Sequence, residues 1–182
     1  MGSKAKQFRN YCKENNIAFI APSLSYIPDL AIKTLEELIE AYGKDVTLIG
    51  SSMGGYMGIY LATKYNLKAV LINPAIFPYK ILNQTLGYTS NFYDGSKFEW
   101  TKKHLEMLQK YEIKEVKKQN FMLLLQKGDE LLNFQEAVDK FLGTKIFVED
   151  CGTHSFEGIE RYLEKIMKFL TQRTSFIDEK VK

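Results

Sequence analysis

The sequence predicts an α/β fold in which a mostly parallel sheet is covered by helices on both faces. Short apolar runs rich in β-branched and aromatic residues alternate with helical patterns along the chain. The runs are apolar almost throughout, as in strands that are buried on both faces. This order is typical of a three-layer sandwich, here with a sheet of about five strands.

The elements alternate in a regular order. The predicted strands are Ile17–Ala21, Val46–Gly50, Ala69–Asn73, Phe121–Gln126 and Lys145–Glu149. The predicted helices are, approximately, Lys4–Glu14, Asp29–Tyr42, Met53–Tyr65, Phe134–Phe141 and Phe156–Leu170. The last helix has the clearest pattern, because it keeps one apolar face and Ser155 can cap its start.

The alternation is interrupted once, at about residues 75–120, by a stretch rich in aromatic side chains. They are Phe77, Tyr79, Tyr88, Phe92, Tyr93, Phe98, Trp100 and Tyr111. We interpret this stretch as a small cap over the carboxyl end of the sheet, where ligands bind in such folds. Ordinary packing of an inserted helix is the alternative. The sequence thus predicts one domain over residues 1–173 and a frayed tail over residues 174–182.

Composition restricts the classes of function. The 25 basic and 22 acidic residues give a net charge of +3, so nothing indicates a nucleic-acid partner. Two cysteines, Cys12 and Cys151, argue against a disulfide framework and favour a reducing compartment. No apolar stretch has the length of a membrane span, and no signal peptide is evident. We expect a cytoplasmic protein without metal or cofactor, since the nucleotide-binding glycine motifs are absent.

The most informative motif is Gly50-Ser51-Ser52-Met53-Gly54, between a predicted strand and a predicted helix. Gly-x-Ser-x-Gly in this context is the nucleophile elbow of serine hydrolases. The turn strains the Ser, and we expect Gly50 and Gly54 to remove clashes on either side of it. Ser52 would then project from the sheet, with the Met53 N–H as an oxyanion donor. The alternative is a glycine-rich loop that matches by chance.

A serine nucleophile needs a base, and the base needs an acid that orients it. The chain has two histidines. His154 lies in the loop between the last predicted strand and the last predicted helix, whereas His104 lies in a charged helix of the cap. We therefore expect His154 to be the base and regard His104 as the weaker candidate.

Asp129 is the preferred acid, because it follows a predicted strand at the same end of the sheet. The resulting chain order Ser, Asp, His is that of α/β-hydrolases. Asp129 could instead be an ordinary turn residue. Asp150, which is close to His154 in sequence, is the main competitor for the acid, and Glu130 is a more distant one.

Six segments together carry a family resemblance. They are Ser3-Lys4-Ala5-Lys6, Gly50–Tyr56, Asn73-Pro74-Ala75, Asn91-Phe92-Tyr93-Asp94-Gly95, Gly128-Asp129-Glu130 and His154-Ser155-Phe156. In combination they resemble the YqiA-like small bacterial esterases, from about residue 2 to residue 170. The resemblance implies an α/β-hydrolase fold, hydrolysis of a carboxylic ester or thioester, and a triad of Ser52, Asp129 and His154.

The resemblance has one gap. In that family a strand ending in His-Gly-Phe precedes the segment that matches Ser3–Lys6, and this chain begins just after that position. The strand would lie between Ile17–Ala21 and the nucleophile strand, and its loop would supply a second oxyanion N–H. We expect unpaired backbone groups there, and self-association through exposed sheet edges. A start codon assigned too late would explain the gap, and a vector remnant at Gly2-Ser3 is the alternative.

The predicted function is that of a serine esterase or thioesterase acting on a small-molecule acyl ester or thioester through an acyl-enzyme. An acyltransferase with the same triad is one alternative. A catalytically weak or silent hydrolase-like binding protein is the other, because the second oxyanion segment is missing. The aromatic cap favours an apolar acyl group, whereas Lys114, Lys117 and Lys118 are more typical of a solvated surface.

Overall fold

The computed structural model describes residues 2–43, 45–90 and 95–172, except for the side chain of Ser3. The strands are β1 (Leu48–Ser52), β2 (Ala69–Pro74), β3 (Gly87–Ser90), β4 (Lys97–Trp100), β5 (Phe121–Gln126) and β6 (Lys145–Glu149). The α-helices are α1 (Ser3–Glu14), α2 (Pro28–Tyr42), α3 (Met53–Tyr65), α4 (Pro78–Leu82), α5 (Lys102–Lys110), α6 (Phe134–Lys140) and α7 (Leu163–Thr171). Short 3-10 helices lie at Asn83–Thr85, Lys118–Asn120 and Ile159–Tyr162.

The main sheet has the strand order β1-β2-β5-β6, and all its pairings are parallel. Every residue of β2 and β5 is buried, which explains why both strands are apolar almost throughout. Parallel neighbours need long crossovers, and helices supply them here. The predicted fold class is therefore confirmed, with four strands in this sheet among the described residues.

Two apolar cores hold helices against opposite faces of the sheet. Val70 and Ile72 of β2 contribute to the core that includes α1 and α7. Ala69 and Leu71, which point to the other face, contribute to the core that includes α3 and α6. Each fully buried aliphatic side chain contributes about 1.5–3 kcal/mol. The alternation of side chains along β2 thus produces the predicted three layers.

The predicted strand Ile17–Ala21 is absent from the sheet, and this prediction was wrong. Residues 17–25 carry no strand assignment. Within residues 17–21 the backbone hydrogen bond that the structure records is from Ile17 N to Cys12 O, at 2.8 Å. A strand forms only when a neighbour satisfies its backbone groups, and none of the described segments pairs with this one. Among the described residues, β1 is consequently an edge of the sheet.

The predicted helix Phe156–Leu170 begins later than expected. Phe156 and Gly158 have positive φ angles of 56° and 71°, which interrupt a right-handed helix. The chain forms a 3-10 turn at Ile159–Tyr162 and continues as α7. Ser155 is therefore not the N-cap of this helix, and its backbone carbonyl has a different partner, described below.

The stretch predicted as a cap contains α4, the antiparallel pair β3–β4 and α5. Tyr56 OH in α3 donates to Leu108 O in α5, at 2.6 Å, and attaches this stretch to the domain. Phe92 and Tyr93 of the predicted cap, with Asn91 and Asp94, lie outside the described residues, as does the predicted tail 174–182. None of the described helices is long and apolar enough to cross a membrane.

Candidate active site

Ser52 lies at the turn between β1 and α3. Its φ and ψ angles are 54° and −123°, a combination that is sparsely populated for residues other than glycine. Backbone strain of this kind persists where the surrounding structure enforces it, and it clusters at functional sites. Here β1 runs directly into α3 without a loop, so the chain must reverse at Ser52.

Glycines allow the turn to close, although not both of those expected. A Cβ on Gly50 would lie 2.9 Å from Gly55 Cα, so no larger residue fits at that position. At Gly54 a Cβ would meet nothing within 4 Å outside its own helix, and the predicted steric role of Gly54 was wrong. The second close approach is at Gly55, where a Cβ would lie 2.6 Å from Pro74 Cβ.

The structure brings Ser52, His154 and Asp129 into one hydrogen-bonded row. His154 Nε2 lies 2.9 Å from Ser52 Oγ. His154 Nδ1 lies 2.9 Å from Asp129 Oδ2 and 3.0 Å from Oδ1. An ionised carboxylate only accepts, so Nδ1 carries a proton, and Nε2 of the neutral ring is then free to accept from the Ser52 hydroxyl.

Asp129 is held rigidly in this row. Its side chain is 2% exposed, and that of His154 is 19% exposed. Asp129 Oδ1 also accepts hydrogen bonds from the backbone N–H groups of Leu131 and Leu132, each at 2.9 Å. Hydrogen bonds to the charged form stabilise a carboxylate, and low exposure protects the pair from screening by water.

Asn73, at the carboxyl end of β2, fastens the loop that carries His154. Asn73 Nδ2 donates to Thr153 O at 3.0 Å and to His154 O at 3.3 Å. Asn73 Oδ1 accepts from the buried backbone N–H of Gln126, at 2.9 Å. One buried amide therefore ties β2, β5 and the loop together.

Gln126, the last residue of β5, holds the same loop from the other side. Its Oε1 accepts from Thr153 N at 3.1 Å and from Glu157 N at 2.8 Å. Its Nε2 donates to Glu157 O at 2.8 Å. Sequence reasoning gave neither Gln126 nor Asn73 a role, although each is a polar residue at the end of an otherwise apolar strand.

The other acid candidates have different partners. Asp150 is 90% exposed and accepts from Lys127 Nζ at 2.6 Å, which holds the pKa of Asp150 below its usual range. Glu130 Oε2 accepts from the backbone N–H of His154 at 2.9 Å, so it contacts the loop and not the imidazole. That backbone hydrogen bond lowers the pKa of Glu130.

His104 lies in a separate aromatic cluster. Its Nδ1 accepts from the backbone N–H of Thr101 at 3.2 Å and helps to cap α5. Its ring meets those of Trp100 and Tyr26 edge-on, with ring centroids 5.4 and 6.0 Å away. The structure thus does not bring His104 to Ser52.

One apolar cluster includes residues that neighbour Ser52 and Asp129 in sequence. Met53, directly after Ser52, packs against a cluster of Tyr56, Ala75 and Leu108. Trp100 from β4 and Leu132, close to Asp129 in sequence, pack against the same cluster. As the first residue of α3, Met53 has a backbone N–H without a partner in its own helix. Among the described residues, no group of three His, Cys, Asp or Glu side chains could hold a metal ion.

Comparisons with solved structures show the fold. A monoacylglycerol lipase from Paleococcus ferrophilus has a TM-score of 0.64 at 14% identity, over 93% of this chain and 89% of that one. Est1E from Butyrivibrio proteoclasticus, with bound ferulic acid, has a TM-score of 0.63 at 13% identity, over 80% and 68% of the two chains. The fold is therefore that of the α/β hydrolases.

Comparisons of sequence show the family. Residues 2–171 match the family described as "Uncharacterised protein family (UPF0227)". A UPF0227 protein of Pectobacterium carotovorum is 24% identical over 145 residues, which are 77% of this chain and 73% of that protein. The resemblance expected from the sequence is thereby confirmed, and the chain belongs to the YqiA-like UPF0227 family.

Proposed function

We propose that this protein is a serine esterase or thioesterase in which Ser52 is the nucleophile, His154 the general base and Asp129 the acid that orients it. The hydrogen-bonded row from Ser52 Oγ through the imidazole to the Asp129 carboxylate carries this proposal. The α/β-hydrolase fold, which an esterase and a lipase share, supports hydrolase chemistry in general.

The reaction would proceed in two steps. His154 Nε2 takes the Ser52 proton while Oγ attacks the acyl carbon, and the resulting oxyanion meets the Met53 N–H at the start of α3. His154 then gives the proton to the leaving alcohol or thiol, which departs and leaves an acyl ester on Ser52. Water, deprotonated by His154, attacks this ester, and the carboxylic acid is released as Ser52 regains its proton.

The surroundings of Ser52 favour an apolar acyl group. Met53 and Leu132 lie close in sequence to the nucleophile and to the acid, and both pack with Trp100 on one apolar cluster. Apolar surface beside the reacting carbon binds an acyl chain through burial from water. A small-molecule ester or thioester with an apolar acyl chain is therefore the proposed substrate class.

An acyltransferase would use the same row and a different acceptor, and a catalytically weak binding protein would keep the row without turnover. The edge position of β1 motivates the second alternative, because the nucleophile strand has a described neighbour on one side only. A backbone that can shift places the oxyanion donor less accurately, and small misplacements strongly reduce rates.

A fluorophosphonate probe tests the nucleophile directly. Wild-type protein should be labelled at Ser52, and Ser52→Ala should not be labelled. Ser51→Ala, next to the nucleophile, is the matched control and should retain labelling. Absence of labelling in folded wild-type protein would reject the enzyme proposal. A panel of acyl esters and thioesters of graded chain length, with and without an added alcohol, then separates hydrolysis from acyl transfer.

A further inference from the structure

Lys4, in the first turn of α1, reaches the loop that carries His154. Its Nζ donates to the backbone carbonyl of Ser155 at 2.6 Å, across 151 positions of sequence. Asn73 already holds the preceding two carbonyls, those of Thr153 and His154. Three consecutive carbonyls around the candidate base are thus held by side chains, and one of the two donors is a cation.

The Lys4 ammonium lies in an environment that is energetically unfavourable for a positive charge. The Lys4 side chain is partly buried, and none of the ion pairs among the described residues involves it. Burial lowers the pKa of Lys4, and the charge of Asp129 raises it. Placing an unpaired cation in a partly buried site is costly, and such arrangements are concentrated at functional sites.

We propose that Lys4 is a positioning residue for His154: it holds the loop through the Ser155 carbonyl, and its charge opposes protonation of the imidazole. The inference rests on the proposed function, because only a neutral imidazole can take the Ser52 proton. Lysine ordinarily titrates about three units above neutrality. The negative charge of Asp129 favours the charged ammonium form of Lys4.

Among the described residues, the charged groups that face the His154 loop are two carboxylates and the Lys4 ammonium. The loop after β5 contributes Asp129, at Nδ1, and Glu130, whose carboxylate accepts from the His154 backbone N–H. Both carboxylates favour a protonated, positively charged ring. The elbow contributes Ser52, which is neutral, and α1 contributes Lys4. The positive charge of Lys4 therefore opposes the effect of these two carboxylates on the imidazole.

Titration of the histidines by NMR tests this without any need for turnover. The chain has two histidines, so the His154 signal is assigned by its loss in His154→Asn, and the His104 signal serves as the control for folding. The variants are Lys4→Met, Lys4→Gln, which keeps a donor without charge, and Lys4→Arg, which keeps both. Lys13→Met, an exposed charge at the far end of α1, is the matched control.

We expect the His154 titration midpoint to rise by about 0.3 to 0.5 pH units in Lys4→Met and Lys4→Gln, which is the Coulomb effect that one charge has in a water-like medium over about 6–10 Å. Lys4→Arg and Lys13→Met should leave the midpoint unchanged. If Lys4→Met does not fold, Lys4→Gln gives the same comparison. The acid limb of kcat/KM should move by the same amount.

A His154 midpoint in the Lys4 variants equal to that of Lys13→Met would overturn the proposal. A purely structural Lys4 would reduce stability in Lys4→Met and leave the midpoint in place, which is also a rejection. Both results leave the proposed function intact, because Ser52 labelling decides that separately. Conversely, absence of labelling with a shifted midpoint would reject the hydrolase and retain the electrostatic coupling of Lys4 to His154.

Discussion

The side-chain amide of Gln126 occupies the space beside Gly152 in which any other residue would place its Cβ. Gly152 also has a φ angle of 92°, which L side chains rarely adopt. Position 152, two residues before His154 in the loop at the end of β5, therefore requires a glycine. The Gln126 oxygen then meets the backbone N–H of Thr153.

Gly152→Ala should displace the His154 loop and abolish Ser52 labelling. Backbone strain alone should reduce the free energy of unfolding by on the order of 1–3 kcal/mol. Gly143→Ala is the matched control, since Gly143 has a φ angle of 90° and a Cβ there would meet only the end of the Lys118 side chain. Both variants should lose stability in chemical denaturation, but Gly143→Ala should be labelled normally. Equal labelling of the two variants would contradict the role given to Gly152.

Ser52→Ala, His154→Ala and Asp129→Asn should each reduce kcat by about 10⁴-fold or more, because the three residues act as a unit. Double variants should lose little beyond the worse single one. Steady-state hydrolysis of an activated acyl ester measures this. Asp150→Asn, at the exposed competitor, should keep wild-type activity. A fully active Asp129→Asn together with an inactive Asp150→Asn would transfer the acid role to Asp150.

The cap should loosen at alkaline pH through Tyr79. Tyr79 OH donates to Glu112 Oε2 at 2.6 Å, and burial together with this carboxylate raises the pKa of Tyr79 to about 12. Unfolded tyrosine titrates near 10. The folded state binds its proton more tightly, so the contribution is complete below pH 10 and is lost as pH rises toward 12. The stability difference between wild type and Tyr79→Phe should therefore shrink over that range in denaturant titrations, and a constant difference would contradict it.

The outer edge of β1 should mediate self-association. Leu48 N donates to Lys68 O, directly before β2. In a parallel strand the backbone N–H and C=O groups of successive residues point toward opposite neighbouring strands. Thr47, Ile49 and Ser51 therefore direct their backbone groups away from β2. Exposed edge groups of this kind commonly pair with a strand from another chain.

We expect concentration-dependent dimers in sedimentation velocity, and a shift to monomer in Thr47→Pro, which removes an outward N–H. Thr47→Val keeps that N–H and should dimerise as the wild type does. A wild type that is monomeric at all concentrations would reject this prediction, as would equal dimerisation of the two variants.

The sequence by itself determined the layered α/β fold and the elbow. Ala69–Asn73 and Phe121–Gln126 are apolar almost throughout because every residue of β2 and β5 is buried, and that pattern is local. The nucleophile elbow could likewise be predicted from the local sequence Gly50-Ser51-Ser52-Met53-Gly54, because its strand, turn and helix are contiguous. The positions of Asp129 and His154 after predicted strands were sufficient to nominate both.

Only the tertiary structure decided which carboxylate contacts His154 and what holds its loop. Asp150 is much closer to His154 in sequence, yet its side chain turns outward to Lys127, because strand order and side-chain direction determine such contacts. Ile17–Ala21 has the pattern of a strand and lacks a described partner, and hydrogen bonding to a neighbour is not encoded locally. The contact between Lys4 and Ser155 spans nearly the whole chain, so only the packing of α1 against the sheet could reveal it.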